Sequence, residues 1–242
     1  MKKIIAFLVC SLLFLGVYSQ TSGQVATYTT GVQALTDGLV LNAMGSISDK
    51  LDKLDYTDNS IEGSPYMSNS FAPGQLYYGD EAVGNIYYRH NAYNEEIEIK
   101  QTNSEVASIL GLSKDKNIRL VVDGKSMSFK TIVDNNGNTK NAYLTLLVDG
   151  NYKLYKHLEV TFKEAKRAEN SFVKDSPAKF TQFTEYFLEK PDAKRIDQID
   201  LNNKKLVECI GSNELKTFLK ENKIKVKNEN DLTKVIHFLN GQ

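Results

Sequence analysis

The chain has 242 residues, of which 41% are hydrophobic and 10% aromatic, and these fractions are sufficient to build a folded core. Lysine and arginine (30) balance aspartate and glutamate (30), so there is no overall field to recruit nucleic acid or an anionic membrane. Only Cys209 remains if a leader carrying Cys10 is removed, which excludes an intramolecular disulfide in the mature chain.

The first nineteen residues have the pattern of an export signal. Lys2 and Lys3 give a positive start, Ile4 to Val17 form an apolar run, and a cleavage site is predicted after Ser19. The run is shorter than the roughly 20 residues of a membrane-spanning helix, so we expect cleavage and no transmembrane anchor afterwards. A lipidated cysteine is the less favoured alternative, because apolar residues continue past it. The chain is therefore predicted to be exported and to be periplasmic, displayed on the outer surface or secreted.

Residues 20–63 are predicted to form a flexible or weakly helical N-terminal segment. Apolar residues recur at spacings of three and four from Val32 to Leu54, which is typical of an amphipathic helix. Glycines at a seven-residue spacing would each cost about 1 kcal/mol in a helix interior. The segment is therefore expected to be a mobile tether or to dock onto a partner surface.

From about Ser64 the hydrophobic pattern changes to a period of two, which predicts an antiparallel β domain over residues 64–201. Three short strands are expected at 75–78, 83–90 and 95–101. Aromatic and β-branched residues, which suit pleated surfaces, are frequent in this part of the chain.

Turn doublets mark the middle of the chain. Asp123-Gly124, Asn136-Gly137 and Asp149-Gly150 separate apolar runs, and such doublets supply the positive φ angles of tight hairpin turns. They predict a meander of four strands, followed by two more strands at 180–189 and 194–201. The predicted fold class is mainly β: an antiparallel meander forming a barrel or a two-sheet sandwich, with a short C-terminal helical cap.

Residues 202–242 are predicted to form short helices. Gly211 ends the first helix, and Ser212 and Asn228 are placed to cap the second and third. Helices this short need a packing surface, so we expect them to pack on the β domain. The helix–extension–helix spacing resembles the SAP-type nucleic-acid module, but the export signal favours a structural cap and no nucleic-acid partner.

One segment has the residue types of an acid–base centre. Arg89, His90, Glu95 and Glu96 lie within eight positions of one another, and histidine and carboxylates are the usual groups of general acid–base catalysis. A polar turn between two strands is the favoured interpretation. The histidines lie far apart and no Cys/His pairing exists, so neither a metal site nor a cofactor is predicted.

A cluster of tyrosines gives the candidate ligand-binding residues. If the segment forms strands, one tyrosine of each adjacent pair should point inward and one outward. Outward tyrosines offer rigid amphipathic area to sugars or proteins, whereas cross-strand pairing that only stabilises the sheet is the alternative. The cluster consists of Tyr77, Tyr78, Tyr87, Tyr88 and Tyr93.

The same region resembles a recurring pattern in uncharacterised exported proteins of the Bacteroidetes bacterial group. That pattern is approximately GSPY, FxxG, an RYN-like turn and a DEIE-like strand. The matching positions are residues 63–66, Phe71 with Gly74, Arg89–Asn91 and Glu95–Glu98. His90 replaces the usual aromatic residue of the turn. The resemblance implies an exported protein and, because no activity is established for such proteins, carries over no catalytic residue.

These patterns favour a non-enzymatic β domain of the cell envelope that binds a ligand or a partner. The expected partner is a small apolar ligand, for which an enclosed cavity would be needed, or an envelope protein. One alternative is an envelope hydrolase that uses the His90 region. Another is a structural component that docks through residues 20–63.

Overall fold

A computed structural model of the chain describes residues 44–45, 61–168, 174–191, 193 and 195–241. The predicted signal peptide and nearly all of the segment 20–63 lie outside these residues. Within the predicted weak helix, Met44 and Gly45 instead form a short strand. Across the described ranges, no helix combines the length and the apolar character needed to cross a membrane.

The chain forms a run of strands followed by short helices. The strands are β1 (Met44–Gly45), β2 (Ala72–Tyr78), β3 (Glu81–Asn91), β4 (Glu96–Lys100), β5 (Leu110–Leu112), β6 (Ile118–Val122), β7 (Lys125–Val133), β8 (Thr139–Val148), β9 (Lys153–Lys163), β10 (Lys179–Glu189) and β11 (Ile196–Ile199). The helices are α1 (Asn203–Ile210), α2 (Asn213–Glu221) and α3 (Glu229–Leu239). The mainly β class with a C-terminal helical cap is therefore confirmed, whereas β5 was not predicted.

These strands belong to one mixed sheet, in the order β1-β5-β4-β3-β2-β6-β7-β11-β10-β9-β8. The predicted meander is present as β6 to β9, with each strand antiparallel to the next. β8 pairs with β7 as well as with β9. The pairings β7–β11, β11–β10, β10–β9, β9–β8 and β8–β7 therefore form a ring of five strands. β11 runs parallel to β7, which departs from the antiparallel arrangement that was predicted.

The turns lie where the doublets predict them. Asp123 and Gly124 both have positive φ (49° and 74°) between β6 and β7, as a tight hairpin turn requires. Between β7 and β8, the Asp134 carboxylate accepts hydrogen bonds from the backbone N–H groups of Asn136 and Asn138, both at 2.8 Å. Local side-chain chemistry therefore fixes the register of the meander.

The ring of β7 to β11 has an apolar interior. Each of its strands contributes to one packed cluster, and Phe187 and Leu144 are fully buried there. Its buried members are Ile132, Ala142, Leu144, Tyr155, Phe187 and Ile196. Roughly eight strands are needed before a closed sheet can hold a small ligand. The ring is filled by its own side chains, so this geometry gives no support to an enclosed apolar ligand.

The helices pack on the sheet, as expected. Leu206, Leu215 and Leu232, one from each helix, are buried in the same cluster as Leu188 of β10. The predicted caps form: the Ser212 side chain accepts from the Leu215 N–H, and the Asn228 side chain accepts from the Asp231 N–H. Burial of one apolar face on each helix supplies the stabilisation that these short helices lack in isolation.

A strap, residues 61–70, connects β10 to β3 across the surface of the sheet. At one end the Phe180 N–H donates to the Glu62 carbonyl at 2.8 Å, and at the other the Met67 N–H donates to the His90 carbonyl at 3.0 Å. The strap therefore ties together two strands that are far apart in the order of the sheet.

Replacing Gly63 with alanine should loosen the strap. Gly63 has φ of 80°, and an added Cβ would meet the backbone carbonyl of Phe180, which cannot move aside like a side chain. Gly79 is the matched control, because it also has positive φ (59°) but nothing within 4 Å of an added Cβ. Gly79→Ala should cost about 1 kcal/mol and Gly63→Ala about 2 to 3 kcal/mol in urea unfolding. Equal losses would show that the close approach to Phe180 does not matter.

Candidate functional site

The turn between β3 and β4 directs a carboxylate towards a distant part of the sheet. Glu95 ends this turn with φ of 52°, a backbone conformation that is uncommon for a residue other than glycine. Its Oε1 lies 2.6 Å from Nε2 of His157 in β9. Its Oε2 accepts a hydrogen bond from the backbone N–H of Tyr143 in β8 at 2.8 Å. One side chain thus connects the β3–β4 hairpin to the ring of β7 to β11.

His157 is held between two carboxylates. Its side chain is buried, and Nδ1 lies 3.0 Å from Oε2 of Glu185, the residue opposite it in β10. Because both partners are carboxylates, both ring nitrogens act as donors, which requires the imidazolium form. Burial favours the neutral ring, but the hydrogen bonds to Glu185 and Glu95 outweigh it and raise the pKa of His157 to about 9. His157 is therefore a buried cation at neutral pH.

A lysine completes this group, which we call the His157 cluster: Glu95, Lys140, His157, Glu159 and Glu185. Lys140 Nζ lies 2.7 Å from Glu159 Oε2 and 3.5 Å from Glu185 Oε2. His157, Glu159 and Glu185 do offer potential metal-ligand atoms within 4.8 Å of one another. However, the lysine ammonium already lies where a cation would bind, and both nitrogens of His157 face carboxylates. The cluster is better described as a network of ion pairs, three carboxylates around two cations, than as a metal centre.

His90, the residue proposed for acid–base chemistry, lies in β3 and is 2% exposed. Within the described residues neither of its ring nitrogens has a hydrogen-bond partner, and Nε2 is 4.0 Å from Glu95 Oε2. Burial lowers the pKa of His90 to about 4, so the ring is neutral at physiological pH. A general acid or base must reach its substrate directly or through one water, and this burial gives His90 no such contact.

Arg89 points to the opposite side of β3 from His90. Its Nε donates to Glu98 Oε2 at 3.1 Å, and its guanidinium lies over the rings of Tyr66 (3.9 Å) and Phe71 (4.7 Å). The Tyr66 hydroxyl donates to the other oxygen of Glu98 at 3.1 Å. These residues come from the four separate parts of the GSPY–FxxG–RHN–EEIE pattern. The spaced pattern thus assembles into one packing contact between the strap and the sheet.

The structure divides the four candidate catalytic residues into two groups, because His90 Nε2 lies 4.0 Å from Glu95 Oε2 while Arg89 and Glu96 lie on the other side of the β3–β4 hairpin. Glu96 is buried in β4 opposite Asn91, on the same side of the hairpin as Arg89. His90 faces the other side, and Glu95 reaches out from the turn to His157. This arrangement does not place an acid, a base and a cation around one cleft.

The candidate tyrosines also divide between two environments. Tyr88 is buried in the core below β3, whereas its neighbour Tyr87 lies on the opposite face, as the strand alternation predicts. Tyr93 packs edge-to-face against Phe180, with ring centroids 5.4 Å apart. Tyr78, at the end of β2, is 40% exposed.

Tyr77 and Tyr87 share the outward side of β2 and β3, and with Gln75 and Arg119 they form what we call the tyrosine face. The Arg119 guanidinium of β6 lies 4.2 Å from the centre of the Tyr77 ring. The Tyr77 hydroxyl donates to the Gln75 amide oxygen at 2.8 Å. These side chains are half-buried, so their polar groups are held in place while part of each ring stays in contact with solvent.

Sequence reasoning missed the residues that matter most to the His157 cluster. Glu185 falls in the predicted strand 180–189, but nothing in the sequence spacing of His157, Glu185 and Lys140 links the three. Only the strand register brings them together, because Glu185 lies directly opposite His157.

Comparison with known proteins finds no matching family model, no matching curated protein and no matching solved structure. What this chain does must therefore be inferred from its own residues and their geometry.

Proposed function

We propose that this chain is an exported, non-enzymatic protein of the cell envelope that binds a partner protein through its tyrosine face. The N-terminal sequence supports export, since its charge and apolar pattern are those of a cleaved signal. The observation that carries the binding proposal is the set of half-buried side chains on the outward side of β2, β3 and β6. Tyrosine and arginine are among the residues that most often dominate the binding energy of protein interfaces.

The geometry of the tyrosine face suits recognition. β2 is paired on both sides, by β3 and β6, so its backbone is rigid. Tyrosine has few rotatable bonds, and Arg119 and Gln75 further restrict the Tyr77 ring. Little side-chain entropy is therefore lost on binding, and the arginine and amide groups can pair with polar groups of a partner.

The titratable groups support a non-enzymatic role. His90 is buried and neutral, and His157 is a cation paired with two carboxylates. Both histidines therefore lie inside the fold, and His157 links the β3–β4 turn and β10 to β9. A hydrolase would instead need one of them at a polar cleft with a carboxylate that is not already committed to another partner.

Site-specific photocrosslinking in cells tests this proposal. A photoreactive phenylalanine at Tyr87 should capture one defined envelope protein, and Arg119→Ala should weaken that capture because it removes the cation held over Tyr77. Phe183, which is 50% exposed on β10, is the matched control for a surface aromatic position. The captured protein, once purified, should bind the wild-type chain and bind Arg119→Ala more weakly. Equal capture from Tyr87 and Phe183, or none from Tyr87, would contradict the proposal.

A further inference from the structure

A second surface, in the helical cap, has a chemistry different from that of the tyrosine face. A cavity of about 720 Å³ lies between α1, α2 and the segment that follows α2. Its size is within the roughly 300–1,000 Å³ of small-molecule sites. We call it the lysine groove, and its lining residues are Asn203, Lys204, Val207, Glu208, Lys216, Leu219, Lys220, Lys223, Ile224 and Lys225.

The floor of the groove is aliphatic and its frame is fixed. Val207, Leu219 and Ile224 form the apolar part of the lining, and Val207 and Ile224 are only half-buried. The Asn203 side chain donates to the Ile224 carbonyl at 2.7 Å and accepts from the Val226 N–H at 2.8 Å. These two bonds hold the segment after α2 against α1, so the groove keeps its shape without a ligand.

The rim of the groove is strongly cationic. Five of its lining residues are lysines and one is an acid, Glu208, in a chain whose basic and acidic residues are equal in number. Lys204 lies 3.9 Å from Glu208. Within the described part of the chain, no ion pair is formed by the other four lysines, Lys216, Lys220, Lys223 and Lys225. Lys216 and Lys220 are one helical turn apart, where like charges destabilise a helix.

The backbone of Lys223 is a second observation that the lysines of the rim do not serve to stabilise the fold. Its φ is 52°, a left-handed conformation just after α2 where glycine or asparagine is favoured. A residue held in an unfavourable backbone conformation is a reason to look for a function. Here the strained residue is also one of the lysines of the rim.

We propose that the lysine groove binds a single fatty acid in its carboxylate form. The acyl chain would lie along Val207, Leu219 and Ile224, and the carboxylate would pair with the rim lysines. The cationic rim favours a ligand with an anionic group, and the aliphatic floor favours a ligand with an acyl chain. A membrane surface fits less well, because the apolar residues lie at the bottom of a concavity rather than on a protruding face. A nucleic acid fits less well because the lining has no aromatic or arginine side chain on which a base could stack.

Calorimetric titration of the protein with dodecanoate, below its micelle concentration, tests this inference. We expect saturable binding of one dodecanoate, with no binding of dodecyltrimethylammonium, which has the same chain and the opposite charge. The double variant Lys216→Gln/Lys223→Gln should weaken binding about tenfold, since two exposed ion pairs are lost. Lys234→Gln, an exposed lysine of α3 outside the groove, should bind as the wild type does.

The floor is tested separately with Val207→Asp, which places a carboxylate under the acyl chain and should abolish binding while circular dichroism stays unchanged. Absence of dodecanoate binding would overturn the proposal, as would equal binding by the double variant and Lys234→Gln. Tighter binding of phosphatidylglycerol vesicles or of a DNA duplex than of dodecanoate would also overturn it. None of these results depends on the tyrosine face, because that face lies on β2, β3 and β6 and the lysine groove lies in the helical cap.

Discussion

Replacing His157 with alanine is expected to lower the free energy of unfolding by about 3 to 5 kcal/mol, because it leaves buried charges without their partner. His157 is 1% exposed and bridges Glu95 of the β3–β4 turn and Glu185 of β10. Without the imidazolium, two carboxylates face each other with Lys140 as the remaining nearby cation. Urea unfolding followed by circular dichroism measures the loss.

A surface ion pair provides the control for this prediction. Lys153 lies 3.0 Å from Asp149 in an exposed position, so Lys153→Ala should cost less than about 1 kcal/mol. In the His157→Ala background, Glu95→Ala should lower the free energy of unfolding much less than it does in the wild-type chain. The reason is that it then relieves the repulsion between the two carboxylates. A loss for His157→Ala no larger than that for Lys153→Ala would contradict the structural role of the cluster.

The same bridge should make stability fall at alkaline pH. The pKa of His157 is raised to about 9 in the folded chain, above its usual 6.5. Its contribution is therefore fully present below pH 6.5 and is lost as the pH rises through 9. His157→Ala should be less sensitive to pH in this window than the wild-type chain.

Acidification should destabilise the chain through the other buried histidine. The pKa of His90 is lowered to about 4 when folded, chiefly by burial. Between pH 6.5 and 5 the unfolded chain takes up a proton at this residue and the folded chain does not, so stability falls. This loss should reach about 2 kcal/mol over that range. His157 opposes this loss slightly near pH 6.5, because its unfolded form is still taking up a proton there while its folded form is already protonated.

His90→Phe isolates this effect. Phenylalanine keeps a flat ring, cannot titrate, and removes two ring nitrogens that have no hydrogen-bond partner in the described residues. The variant should lose the slope between pH 6.5 and 5 and should be at least as stable as the wild type at pH 7. Unfolding midpoints at several pH values measure both. An unchanged slope would show that His90 is not the titrating group, and a large loss at pH 7 would show that its polarity is needed.

Much of the fold is predictable because it is specified locally. A tight hairpin turn requires positive φ angles, and Asp123-Gly124 can adopt them. The alternation of apolar and polar residues in the strands on each side decides which face is buried. Ser212 and Asn228 cap their helices for equally local reasons. The same alternation predicts that Tyr87 and Tyr88 point to opposite faces, and in the structure Tyr88 is the buried one.

The arrangement of the strands is not local. Parallel pairing of β11 with β7, and the second pairing of β8, depend on contacts between residues far apart in sequence. β5 was missed because Leu110–Leu112 is too short to show a period of two. A five-strand ring filled by Phe187, Leu144 and their neighbours likewise follows from how the sheet closes, not from any one segment.

The candidate site was harder to predict than the fold. Arg89, His90, Glu95 and Glu96 are close in sequence, but a strand sends successive side chains to opposite faces. His90 therefore enters the core while Arg89 pairs with Glu98 on the other side. Conversely, His157 and Glu95 are remote in sequence and meet only because the β3–β4 turn folds over β9.

We infer that both buried histidines serve the fold rather than a reaction. Nitrogen-15 NMR of histidine-labelled protein, titrated from pH 4 to 10, tests it most directly. We expect His157 to stay protonated on both nitrogens until the pH approaches 9, and His90 to stay neutral until the pH approaches 4. A His90 that titrates near 6.5, or a His157 that is neutral at pH 7, would contradict it.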